Sequence, residues 1–123
     1  MRTTVPTQEI PKENWQAYFA KLAEQYAGWV TSVEALHREL GDQHVMDGLP
    51  FQGISYDSAG SQAGDILIEA GDLGTPFETH LVHQPTVVRI AVTQPGAEAD
   101  VEIASAEGYT TLVRLRPRPQ LPA

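Results

Sequence analysis

From Pro11 onward the apolar positions repeat first with the period of a helix and then, past Gly28, with the period of a strand. Trp15, Tyr18, Phe19, Leu22, Ala23 and Tyr26 fall at i, i+3, i+4, i+7, i+8 and i+11, which is one apolar stripe on an α-helix. Pro11 suits the first helical position, where its missing N–H has no intrahelical partner, and Glu13 sits near the positive end of the helix dipole. Gly28 suits the residue just past the helix end. Residues 1–10, with Thr3, Thr4, Pro6 and Thr7, carry no period and read as an extended leader.

The period of two begins at Trp29 and persists. Trp29 to His37 reads as a strand, Glu39 to Asp42 as a turn, and His44 to Met46 as the returning strand of a hairpin. Leu49-Pro50 is expected to break that ladder, with a new strand from Phe51 to Asp57 and a loop from Ser58 to Gly64. Further strands are expected at Asp65 to Ala70, Glu78 to His83 and Thr86 to Thr93, followed by a Pro95-Gly96 turn. Val101 to Ser105 and Tyr109 to Arg116 complete a last hairpin around Glu107-Gly108.

Seven or eight short strands joined by short connections pair antiparallel. With the helix in front, the expected class is α+β: one N-terminal amphipathic helix packed on a curled, mostly antiparallel sheet. A helix of about 16 residues is ~24 Å long, while eight strands make a sheet about 34 Å wide. One helix cannot cover such a sheet flat, so the sheet must curl or leave surface for a partner or a second copy. The organisation expected is a leader over 1–10, a single domain over 11–116 and a Pro-rich tail over 117–123.

Composition narrows the chemistry. The 123 residues hold 16 acids against 8 bases, a net charge of −8, which argues against a nucleic-acid partner. No apolar run approaches the length of a membrane helix and no signal segment stands at Met1, so a cytoplasmic protein with no membrane partner is expected. There is no cysteine, which excludes disulfides, thiolate metal sites and thiol nucleophiles. The charge is also divided: the last ten residues carry Arg114, Arg116 and Arg118 and no acid, leaving −11 on residues 1–113.

Several segments together carry a family resemblance. They are Glu9-Ile10-Pro11-Lys12 with Trp15, Gly28-Trp29, Leu49-Pro50-Phe51-Gln52-Gly53-Ile54-Ser55, and Ala104-Ser105-Ala106-Glu107-Gly108 with Thr110-Thr111-Leu112 and Arg114. The chain resembles a small bacterial domain-of-unknown-function family, the one numbered 5335. That resemblance implies a stand-alone bacterial protein and brings no activity, cofactor or catalytic residue.

The residues themselves offer few sites. His37 and His44 flank the Glu39-to-Asp42 turn and would face each other in a symmetric hairpin, making them the metal candidates, with Glu39 or Asp42 as further ligands. Ordinary solvated strand-end histidines are the plainer account. His80 and His83, three apart in a strand, point to opposite faces. Gly53-Ile54-Ser55-Tyr56-Asp57 begins like a nucleophile elbow but ends on Asp57 instead of glycine, and Gly60 to Gly64 lacks the lysine of a phosphate cradle. Asp65, Glu69 and Asp72 spread along a strand and its exit, as on a solvated face.

Trp15, Tyr18, Phe19, Tyr26 and Trp29 lie at core spacing among acids, not among the bases of a stacking platform. Trp29 is the one expected to be partly exposed. Arg116, Pro119 and Pro122 match an R-x-x-P-x-x-P ligand pattern, and with Trp29 they form the candidate partner surface. No catalytic residue and no cofactor are indicated. The leading expectation is a non-enzymatic binding or assembly module acting through an open sheet face or edge, as a homo-oligomer or with a protein partner. The alternatives are a small enzyme or metal-binding protein using His37 and His44 with nearby carboxylates, and an acidic decoy for a basic partner.

Overall fold

Alternation of apolar and polar residues is what the chain turns into structure, and strands take up most of it. A computed structural model describes residues 7–57, 64–92 and 98–117, and 62% of these lie in strands. The elements are β1 (Gln8–Ile10), a 3-10 turn (Lys12–Asn14), α1 (Trp15–Gln25), β2 (Val30–His37), β3 (Gly41–Asp57), β4 (Asp65–Ala70), β5 (Glu78–Val82), β6 (Pro85–Val92), β7 (Ala99–Ser105) and β8 (Tyr109–Arg116).

This corrects the α+β expectation. The protein is a mostly-β fold built on one eight-stranded sheet in the order β1-β6-β7-β8-β2-β3-β4-β5, with every pairing antiparallel. The one α-helix among the described residues is only 11 residues long and is not a layer laid on the sheet. The helical stripe was read from Pro11, but Pro11 holds an extended ψ of 144° and the next three residues form the 3-10 turn, so the α-helix begins at Trp15. Gly28, at φ +82°, lies two residues beyond the Tyr26 cap, and its N–H donates to the Phe51 carbonyl at 2.8 Å.

The sheet rolls because two residues join β5, at one end of the order, to β6, next to the other end. β5 ends at Val82 and β6 begins at Pro85, near opposite ends of the strand order, yet three peptide steps span at most about 11 Å. The β5 and β6 termini therefore meet, and the sheet closes on itself at that end. Within the leader segment, residues 8–10 pair as β1 with the other half of β6, from Val88 to Ile90. Three residues are too few to show a period, which is why no strand was expected there.

The 17 residues of β3 make the sharpest bend. The expected break at Leu49-Pro50 is instead a corner within one strand: up to Pro50 it pairs with β2, and from Phe51 with β4. Gly48, at φ +76°, is the extra residue where Thr31 pairs with Leu49 but Ser32 pairs with Asp47. A bulge of this kind bends a strand and deepens its twist, as a rolled sheet requires.

Rolling makes one face of the sheet an interior. A continuous row runs Ile10, Val88, Ile103, Thr111, Ala35 and Gln43 across six strands, and its first five members are buried. Trp15, Phe19 and Leu22 of the helix join the same core as Phe51, Ile66 and Ile68. The next row over points outward and is charged: Glu9, Arg89, Glu102, Leu112, Glu34 and His44. Arg89 lies between Glu9 (3.8 Å) and Glu102 (3.5 Å), so the acids here are interrupted by a base and make no unbroken negative stripe along this row.

Candidate functional site

Where the rolled sheet closes, three connections crowd one end: the β2–β3 turn, the β7–β8 turn and the His83-Gln84 link between β5 and β6. They are tied together. The Ala106 N–H donates to the Gln84 carbonyl at 2.9 Å, the Gln84 N–H donates to Asp65 Oδ1 at 3.4 Å, and Asp65 Oδ2 lies 3.0 Å from His83 Nδ1. Inside this rim is a cavity of about 240 Å³. Ala35, Val45 and Val82 supply its apolar wall, while His80, Ser105, Thr111, Tyr109, Gln43 and Glu107 supply polar groups.

Of those polar groups, Thr111 and His80 are inner-face strand residues without a side-chain hydrogen bond among the described residues. Thr111 is only 1% exposed, and among the described residues its hydroxyl makes no hydrogen bond. The His80 imidazole likewise has none. Burial pushes the His80 pKa below its ordinary 6.5, and the neighbouring His83 adds to this. His80 is therefore a neutral imidazole at neutral pH, with one nitrogen able to accept and the other to donate. The inner-face Thr111 and the half-buried His80 thus keep hydrogen-bonding capacity that a ligand or water in the cavity can use.

The rest of the mouth is held in place by its own side chains. The Ser105 hydroxyl accepts from the Tyr109 N–H at 3.3 Å, which ties the two strand ends of the last hairpin. The Tyr109 ring rests 4.7 Å from the His37 ring at 57°. His37 is itself fixed, since its Nδ1 accepts from the N–H groups of Glu39 (3.1 Å) and Leu40 (3.3 Å).

The expected His37–His44 pair does not form. His37 pairs with Gly41, and His44 pairs with Glu34, because the hairpin turns over residues 38–40 and β3 already begins at Gly41, inside the turn expected from Glu39 to Asp42. Instead Glu34, Asp42 and His44 bring one ligand atom each within 4.8 Å of one another. His44 Nδ1 faces Glu34 Oε1 at 3.8 Å, while Nε2 faces Asp42 Oδ2 at 3.9 Å. The two carboxylates thus approach different nitrogens of a ring that is 69% exposed, unlike a ligand histidine whose second nitrogen is held by an orienting partner.

Other sequence candidates resolve simply. Ser55 lies within β3. Asp72 accepts from the Gly74 N–H at 2.8 Å and shapes its own loop. Trp29 is half-buried, edge-on to Tyr26 at 4.6 Å, and Arg116 is exposed with Nη2 3.4 Å from the Ser32 hydroxyl. Pro119 and Pro122, like Arg118, the Ser58 to Ala63 loop and the Pro95-Gly96 turn, lie outside the described residues.

The cavity residues were not found from sequence, although a signal existed. His80 shares the strand parity of buried Val82, and Thr111 that of buried Val113, so each sits on the inner face. His83, expected to oppose His80 across a strand, lies past the end of β5 and so turns to the same mouth.

Comparison with known proteins gives a relative and a family, each without an assigned activity. An uncharacterised protein of Aquifex aeolicus is 28% identical over 116 residues, covering 94% of this chain and 97% of its own length. No solved structure matches the chain. The model of one family matches residues 6–123, nearly the whole length, and the chain belongs to that family, the family of unknown function DUF5335.

Proposed function

We propose that this protein is a non-enzymatic binding module of the cytoplasm that receives a small molecule in the mouth of its rolled sheet. The observation that carries the reading is a cavity of about 240 Å³ walled by Thr111 and His80, whose side chains make no hydrogen bond among the described residues. Mouths of rolled sheets are habitual ligand sites, where apolar walls supply affinity and a few polar groups supply orientation. A cavity of roughly 150 Å³ accepts benzene, so this one suits a ligand of about nine or ten heavy atoms. The polar groups that are engaged, Ser105 and His83, serve the shape of the rim, which favours holding over reacting.

The test is a screen of fragments up to that size by ligand-observed NMR, against the native chain and against Gln43→Trp, which places an indole across the mouth. Binding that disappears in the variant supports the reading. Failure of every fragment, or binding indifferent to the plug, overturns it.

A second reading, self-association, is favoured by a different observation. The loop before the edge strand β5 presents Leu73 at 102% and Phe77 at 66% exposure. An unpaired edge flanked by exposed apolar side chains suits pairing with a second copy. Light scattering at high concentration then gives twice 13.4 kDa, and Phe77→Glu returns it to one chain. A mass of 13.4 kDa throughout removes this reading.

A further inference from the structure

Resting on the cavity reading above, we infer that the ligand is a small organic cation: a protonated amine on an apolar or aromatic body of about nine heavy atoms. The charge of the lining points there. Among the described residues, Glu107 is the only charged side chain lining the cavity apart from the histidines, and no lysine or arginine lines it. The Asp65 carboxylate, outside the lining itself, lies 3.0 Å from His83 Nδ1. The whole chain carries −8, a field that raises the local concentration of cations at a concave site.

Hydrogen-bonding capacity agrees. An ammonium offers three donors and no acceptor, so it needs acceptors around it. Glu107 supplies a carboxylate, Thr111 a free hydroxyl oxygen, and His80, uncharged because it is buried, a free ring nitrogen. Tyr109 adds an aromatic ring held by His37, suited to attract a cation through its quadrupole. A carboxylate ligand would bring a like charge beside Glu107 and find no lysine or arginine among the described residues of the lining. Ala35, Val45 and Val82 leave an apolar wall for the body of the ligand.

The experiment uses three probes of nearly equal shape and different charge: benzylamine, benzyl alcohol and benzoate. Each is titrated at pH 7.5 and low salt into the full ¹⁵N-labelled chain, following the amides of His80, Ser105, Tyr109 and Thr111. The expected result is saturable binding of benzylamine at the mouth, at least about threefold tighter than benzyl alcohol, with benzoate weakest. A contribution of this size fits a carboxylate open to solvent. Glu107→Gln should remove most of that threefold preference while leaving benzyl alcohol unchanged.

Equal binding of amine and alcohol, or tighter binding of benzoate, overturns the cation inference and leaves the cavity reading standing. A preference for benzylamine that survives Glu107→Gln overturns the assignment of Glu107. Failure of all three probes at the mouth overturns the cavity reading along with it.

Discussion

Replacing Trp15 by phenylalanine tests whether the short helix and β1 are one structural unit. Trp15 is 1% exposed, its Nε1 donates to the Ile10 carbonyl at 2.8 Å, and its ring meets Tyr56 edge-on at 5.1 Å. Phenylalanine keeps an aromatic ring near Tyr56 but removes the donor, at a cost of about 1–2 kcal/mol for a buried hydrogen bond lost on one side. The smaller ring also vacates roughly 40 Å³, which at ~24 cal/mol per Å³ adds about 1 kcal/mol. The total is about 2–3 kcal/mol. For a chain of this size that lowers Tm by roughly 10 °C. Urea unfolding followed by circular dichroism should show a lower midpoint at an unchanged slope, and hydrogen exchange should show faster exchange in β1. A loss under about 0.5 kcal/mol would refute the view that this bond anchors β1.

Gly71→Ala should destabilise the chain by several kcal/mol, because Gly71 holds φ +121° and an added Cβ would run into the Pro76 carbonyl and the Phe77 backbone; an unchanged urea midpoint would sink this. Asp100 has a buried Oδ1 without a partner, and burial first, then Glu98, raises its pKa above 3.8 despite Arg114 and Arg116. Its contribution to stability is therefore present below pH 3.8 and lost as pH rises through the raised value, so Asp100→Asn should stabilise the chain at pH 7 and much less at pH 3.5. An equal gain at both pH values would count against it.

His80 has the opposite sign. Its folded pKa lies below 6.5, so its contribution is present above pH 6.5 and lost as pH falls through the depressed value. Urea midpoints measured from pH 7.5 to pH 5 should fall more steeply for the native chain than for His80→Gln; identical slopes would refute the burial of a neutral imidazole.

The local periods translated well where a segment had only one way to be buried. Asp65 to Ala70 and Tyr109 to Arg116 are strands with the bounds their alternation gives, since one face meets a core and the other meets water. The stripe from Trp15 to Leu22 is helical for the same reason. Legibility failed where distant segments decide. Leu49-Pro50 was a breaker by composition, yet β4 and β2 take up successive halves of one strand there. His37 and His44 face each other only in a hairpin centred on Leu40 and Gly41, whereas the turn closes over residues 38–40, and the pairing of β2 with β3 decides that placement.

By itself, then, the sequence determined the helical stripe and most of the strands, the absence of thiol chemistry and the acidic charge, because these depend on residue type and on neighbours along the chain. The tertiary structure alone decided that the helix is minor and that the sheet covers itself by rolling, since that follows from a two-residue link joining strands far apart in the order. It also decided which side chains meet. Thr111, His80 and Glu107 share a cavity because three connections converge at the closed end, and convergence is a property of strand order and register, which no local pattern encodes.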